Sequence, residues 1–225
     1  MSEQLYFEYG EAEIAYLKKR DPILGAAIDE IGYIRREVTP DIFTALVNSI
    51  VGQQISTKAH ITVWARMQER FAPLTPERVF ALSEEDLQVC GISFRKAAYI
   101  REIAASVLDG RLDLECLQRQ TDAEVCERLV RIKGVGVWTA EMLMIFSMRR
   151  PDILSKDDLA IVRGLRMLYR HREITPQLFA KYKRRYSPYA SVASLYLWAV
   201  AGGACPCLTD PAPKAQKNAK KPPKA

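Results

Sequence analysis

Leu129-Val130-Arg131-Ile132-Lys133-Gly134-Val135-Gly136-Val137-Trp138-Thr139-Ala140, residues 129–140, is the stretch on which the reading of the whole chain turns. Glycines on either side of Val135 let the backbone reverse very tightly and let another backbone come close. Upstream, Thr121-Asp122-Ala123-Glu124 has the reciprocal pattern of a capped helix start, and Val125, Leu129 and Ile132 follow at helical spacing. Downstream of Gly136 a second helix is expected, over 137–149. Its first N–H groups have no partner inside the helix, so they can bind a phosphate without reading sequence. An ordinary turn between packed helices is the plain alternative. The apolar Ile132 before the glycines, the flanking helices and Trp138-Thr139-Ala140 after them favour the phosphate.

Outward from the hairpin, the punctuation stays helical. Asp21-Pro22, Thr39-Pro40, Thr75-Pro76, Thr175-Pro176 and Ser187-Pro188 each set a capping oxygen before a proline, whose fixed φ suits the first helical position. Apolar residues recur at helical spacing in Ile42, Leu46, Val47 and Ile50, and again in Ile161, Leu165 and Leu168. Helices are expected near 11–20, 22–31, 40–54, 56–71, 76–81, 84–89, 94–108, 122–131, 137–149, 158–170, 176–185 and 188–201. Leu5 to Tyr9 is the one strand-like stretch. The fold class is all-α, without internal repeats.

With 225 residues and 48% of them hydrophobic, the chain has enough apolar material for one large domain or two lobes. It contains no run of about eighteen apolar residues and no secretory start, so a soluble intracellular protein, cytoplasmic or nucleoid-associated, is expected, with no membrane partner. Cys90, Cys116, Cys126, Cys205 and Cys207 form no even framework and no Cys-x-x-Cys; reduced thiols are expected, and an iron–sulfur cluster is excluded for want of ligands. The formal charge of +6 is weak evidence for a nucleic-acid partner. Lys214, Lys217, Lys220, Lys221 and Lys224 sit in an acid-free, proline-rich tail, and without those five the body carries +1. Such a tail is expected to be disordered.

The segment Leu129 to Ala140 resembles the hairpin of the helix-hairpin-helix (HhH-GPD) DNA glycosylases, whose second hallmark is an aspartate about twenty residues on. Asp158 stands twenty positions after Trp138. Ile50-Val51-Gly52-Gln53-Gln54-Ile55-Ser56 resembles the family's minor-groove loop, Gly91 to Ala97 a second DNA-facing turn, and Tyr196-Leu197-Trp198 the C-terminal pocket helix. These matches keep the family's order over roughly 40–200, and the branch they resemble most is 3-methyladenine DNA glycosylase II. The resemblance implies two helical lobes flanking a cleft: 1–36 with 155–205, and 37–154, followed by a basic tail over 206–225. It implies double-stranded DNA with damaged bases as partner, a monomer, and no catalytic metal or organic cofactor; a monovalent cation between hairpin carbonyls and a phosphate is compatible with the family.

Asp157 and Asp158 compete for the essential carboxylate. Asp158 shares a helical face with Ile161, Val162 and Leu165, which points it inward; an isolated aspartate there would be read as a cap, and the interval from the hairpin decides for catalysis. The helix dipole favours its ionised form. Breaking the C1′–N bond builds positive charge on the sugar, which an anion stabilises, and the same carboxylate can take a proton from the attacking water. Relatives that cut the strand carry a lysine where this chain has Trp138, and an indole cannot form a Schiff base. Simple hydrolysis is therefore expected.

Trp138 and Trp198 are candidate walls for a cationic alkylated purine, worth about 0.5–2 kcal/mol, although Trp198 is read equally well as core. Met142 and Leu159 stand at pocket positions where the alkylpurine branch differs. Ile132, Lys133, Gly134, Val135, Gly136, Thr139 and Ser56 are the expected backbone contacts. Gln53, Gln54 and Phe94 are candidates to fill the gap left by a flipped base. His60, Arg95, Lys96 and Arg163 are read as solvated. A non-catalytic DNA-holding module, or the same fold acting on uracil, mismatched or oxidised bases, are the competing readings.

Overall fold

Capping side chains fix where most helices of this computed structural model begin; it describes residues 5–212. The first is α1 (Glu11–Arg20), and Asp21 starts α2 (Pro22–Ile31) by accepting the N–H groups of Ile23 and Leu24. Next come α3 (Ile42–Gly52), α4 (Thr57–Phe71), α5 (Pro76–Ala81), α6 (Glu84–Gln88), α7 (Phe94–Leu108) and α8 (Leu114–Arg119). The hairpin pair is α9 (Asp122–Val130) and α10 (Val137–Phe146); α11 (Leu159–Tyr169), α12 (Pro176–Tyr186) and α13 (Ala190–Ala201) complete the order. Thr75, Thr121 and Thr175 cap as their sequence context requires, Thr121 within a full capping box with Glu124.

Several expectations need correcting. Thr39-Pro40 does not open α3, because the Thr39 N–H pairs with the Phe146 carbonyl and keeps the chain extended; Asp41 is the cap instead. Ser187-Pro188 does not open α13, since the Ser187 hydroxyl donates to Asp152 and the helix begins two residues later. The short α8, with Asp113 as its cap, was not anticipated. Leu5 to Tyr9 forms only one isolated bridge, between Tyr6 and Glu37. Of the expected disordered tail, residues 206–212 are folded: Leu208 packs on the core and Asp210 accepts two hydrogen bonds from Arg166, which holds its carboxyl down at about 2. The lysine-rich remainder lies outside the described residues.

Helix packing falls into two groups. In one, α1 and α2 pack with α11, α12 and α13; in the other, α3 packs with α4 and α7, and α7 with α5 and α6. The hairpin helix α10 packs on both α9 and α3. In the first group α11 and α13 approach closely: a Cβ on Gly164 would stand 2.4 Å from the Leu197 carbonyl oxygen, so no larger residue fits. A buried polar cluster ties this group together. Asp21, 1% exposed, receives Tyr169 Oη and Arg185 on its second oxygen, both at 2.7 Å, and Tyr169 is hydrogen-bonded to Tyr186. Burial pushes both phenols well above their ordinary range. Chain ends far apart in sequence thus meet, and the segment after α2 is carried to the face of α10 and α13. All five cysteines are free thiols, and no described helix is long and apolar enough to cross a membrane.

Candidate active site

Asp158 is the N-cap of α11 rather than its first helical residue, with extended backbone (φ −82°, ψ 109°). Its inward direction therefore comes from the cap and not from a shared helical face. The capping and functional readings turn out to be compatible. Oδ1 accepts the N–H groups of Ala160 and Ile161, both at 2.9 Å, while Oδ2 accepts the indole N–H of Trp138 at 2.8 Å. A carboxylate has about four acceptor positions. Three are filled here, and the 8% of Asp158 that stays accessible faces a cavity. Asp157 is exposed.

That cavity, about 440 Å³, is lined by Ile34, Arg36, Trp138, Met142, Phe146, Asp158, Leu195, Trp198 and Ala199. Its volume lies in the roughly 300–1,000 Å³ range of small-molecule sites. Trp138, Met142 and Phe146 line it because residues four apart share a helix face. Phe146 also packs on Trp198, ring centroids 5.5 Å apart, which places Trp198 in the wall. Leu159 does not join them; it is 85% exposed, because the turn that buries Asp158 directs the next side chain outward. Sequence reasoning missed Phe146, although its helical spacing from Met142 was a usable signal. It also missed Ile34 and Arg36, for which no local signal existed.

A second hollow, about 560 Å³, includes Gly52, Gln53, Gln54, Gly134, Gly136 and Thr139, and shares Trp138 and Met142 with the first. It brings the predicted minor-groove loop onto the hairpin. Gln53 Nε2 donates to the Gly134 carbonyl at 2.6 Å. Lys96 is not merely solvated: its ammonium donates to the carbonyls of Val51 (2.8 Å) and Gln53 (2.6 Å) and so closes the C-terminus of α3. Burial, helped by Arg95, pulls it below the usual lysine range. His60 likewise pairs with Asn48, and Arg163 approaches Asp210 at 3.7 Å. Gln54, in contrast, is exposed with φ +56°, Phe94 is exposed at the start of α7, and Ser56 caps α4. Behind Asp158, Glu141 accepts from Ser155 at 2.5 Å; burial pushes its carboxyl up, and Asp157 and Asp158 add to that.

The two hairpin glycines differ. Gly134 has φ +87°, and a Cβ there would strike Tyr99 at 2.6 Å and Ile50 at 3.1 Å. Gly136 has φ −94°, open space around it, and heads α10 with no capping side chain, leaving that first turn unclaimed. Ile132 packs against the core, Val135 is buried, Thr139 is buried beneath the turn, and Lys133 is exposed. Gly134→Ala is accordingly expected to lower stability by more than about 1 kcal/mol. Gly136→Val should leave thermal unfolding nearly unchanged and weaken binding to undamaged and damaged duplex alike. Chemical denaturation and fluorescence anisotropy on both variants check this; equal stability losses would contradict the division.

An enzyme that works on one base of a duplex must hold the backbone and receive the base outside the stack; an uncapped helix start beside a carboxylate-bearing cavity meets both needs. The chain belongs to the HhH-GPD superfamily of base excision DNA repair proteins, whose family model matches residues 47–188. It resembles a DNA-3-methyladenine glycosidase of Bacillus halodurans, of known crystal structure, with 37% identity and a TM-score of 0.78, over 88% of this chain and 93% of that one. DNA-3-methyladenine glycosylase 1 of Schizosaccharomyces pombe is 33% identical over 163 residues, 69% of this chain and 71% of the relative. The 3-methyladenine DNA glycosylase of that yeast in complex with abasic DNA superimposes with a TM-score of 0.74 at 28% identity, over 85% of this chain and 97% of that one.

Proposed function

We propose that the protein removes alkylated purines of the 3-methyladenine and 7-methylguanine type from double-stranded DNA by simple hydrolysis, with Asp158 as the essential carboxylate. One observation carries this: an aspartate held by two backbone amides and an indole N–H, with its remaining acceptor position toward an aromatic cavity. A module that only held DNA would need the cap of α11 but not the cavity beside its second oxygen. As the C1′–N bond breaks, its electron pair leaves with the base and the sugar becomes an oxocarbenium ion. The carboxylate stabilises that cation, and water adds to C1′ as Asp158 takes its proton. Alkylation at N3 or N7 makes the base a cation that departs neutral, and the Trp138 face suits it. Gln54 fills the emptied place in the stack, because Gln53 is committed to Gly134. A monovalent cation at the hairpin fits the donors present: the Ile132 and Gly134 carbonyls each accept one hydrogen bond and keep a second lone pair.

Duplex oligonucleotides carrying one lesion each, scored for abasic sites after hot alkali, test the reading. Release of alkylated purines is expected; release of uracil, mismatched or oxidised bases alone would overturn it. Trp138 at the lysine position predicts that borohydride traps no covalent protein–DNA adduct, and an adduct that tracks with activity would refute simple hydrolysis. Trp138→Lys is expected to lose activity rather than gain strand cleavage, since it removes the aromatic face and sets an ammonium beside Asp158 and a cationic base.

A further inference from the structure

Ile34 and Arg36 line the cavity that holds Asp158, yet neither lies on a helix, so the chain between α2 and α3 must be fixed there by other means. Leu5 to Tyr9 supplies them. The Phe7 N–H donates to the Arg36 carbonyl at 2.8 Å, the Val38 N–H donates to the Leu5 carbonyl at 2.9 Å, and Tyr6 bridges Glu37 in antiparallel register. Continued by two residues, that register sets Tyr9 opposite Ile34, and there a side chain takes the place of the main chain. The Tyr9 hydroxyl donates to the Ile34 carbonyl at 2.9 Å and accepts the Ile34 N–H at 2.8 Å. A hydroxyl has one proton and two lone pairs. The second lone pair faces the hydroxyl of the fully buried Tyr196, 3.4 Å away. Tyr33 stacks on the Tyr9 ring with centroids 4.6 Å apart, and Tyr196 meets it edge-on. Burial pushes the Tyr9 phenol above its ordinary range, so it keeps the proton that Ile34 receives.

We propose that Tyr9 is a positioning residue for base release: by fixing both backbone groups of Ile34 it sets how deep a flipped base lies, and so where C1′ stands relative to Asp158. This rests on the reading of the cavity as a glycosylase pocket. Trp138, Met142 and Phe146 have α10 to hold them at that cavity; Ile34 has the Tyr9 hydroxyl instead. Residues two apart in extended chain share a face, so a shift at Ile34 carries Arg36 with it. Reaction at C1′ is sensitive to such shifts, since a displacement of about 1 Å costs up to about a hundredfold in rate. Without the hydroxyl, the Ile34 N–H and carbonyl lose their partner and the wall can relax. The N–H groups at the start of α10 are untouched by that, so the hold on the DNA backbone should not change.

Single-turnover release of 3-methyladenine from methylated duplex, titrated with enzyme to saturation, tests this. The assay is run where circular dichroism shows every variant folded, so that a loss of stability alone does not move the rate. Tyr9→Phe keeps both ring contacts and removes only the hydroxyl. Its saturated rate is expected to fall about tenfold, while the enzyme concentration that gives half of that rate stays within about twofold of the parent's. Ile34→Ala shortens the wall, leaves the backbone clamp in place, and should also slow release. Because Tyr9 acts through Ile34, the double variant should be no slower than the slower single variant, whereas independent losses would multiply. A saturated rate in Tyr9→Phe within about twofold of the parent, or losses that multiply, overturns the inference and leaves the alkylpurine reading intact. An Ile34→Ala rate equal to the parent's does the same, however Tyr9→Phe folds. A parent that releases no 3-methyladenine overturns the alkylpurine reading, and this inference with it.

Discussion

Asp158→Asn is expected to reduce base release by at least about a thousandfold while leaving duplex affinity within a few-fold of the parent. Asparagine has the same size, and its carbonyl can still accept the N–H groups of Ala160 and Ile161, so the start of α11 should survive. The second position fails. There the amide NH₂ would face the Trp138 indole N–H, a donor against a donor, and the negative charge that balances the oxocarbenium ion is gone. Binding is expected to persist, because the substitution does not touch the main-chain N–H groups at the start of α10 that are proposed to hold the DNA backbone. Single-turnover kinetics and anisotropy titration separate the two effects. Near-normal turnover in Asp158→Asn, with Asp157→Asn inactive, would assign the chemistry to the exposed neighbour instead.

The largest loss of stability is expected from Asp21→Ala, about 3 kcal/mol or more. Asp21 is almost fully buried and serves four donors: two backbone amides at the start of α2, the Tyr169 hydroxyl and the Arg185 guanidinium. Alanine would leave the Leu24 amide, whose bond to Asp21 is buried, without its partner, and would leave the Tyr169 hydroxyl with Tyr186 alone. Arg185 is partly exposed, so its share of the penalty is reduced. Asp21→Asn, which keeps an acceptor for the cap but not the charge, should lose distinctly less. Denaturant unfolding of both variants is the measurement, and an alanine variant within about 1 kcal/mol of the parent would show that the cluster is not what joins α2 to α11 and α12. Because this cluster secures the segment that carries Ile34 and Arg36 to the cavity, residual base release in Asp21→Ala should also fall.

Much of this protein was determined locally, and that part was legible from the residues alone. Helix starts at Asp21, Thr75, Thr121 and Thr175 follow from a side-chain oxygen satisfying a backbone amide within three residues, an interaction that needs no distant partner. The hairpin was legible for the same reason, as was the all-α class, since Gly134 and Gly136 act on the backbone beside them. Asp158 could be singled out by its interval from Trp138, although the sequence placed it inside a helix when it caps one. What tertiary structure decided is everything that depends on which side chains meet. Gln53 and Gln54 are identical in chemistry and adjacent in sequence; only the approach of the Gly134 carbonyl commits one and leaves the other exposed. Lys96 looked like any surface lysine until α3 ended beneath it. Arg36 lies more than a hundred residues from Phe146 and belongs to no periodic pattern, yet packing of α2 on α11 and α13 sets it against that ring. Short-range hydrogen bonding and backbone sterics are written into neighbouring residues; the cavity wall is assembled from contacts whose partners are chosen only when the helices pack.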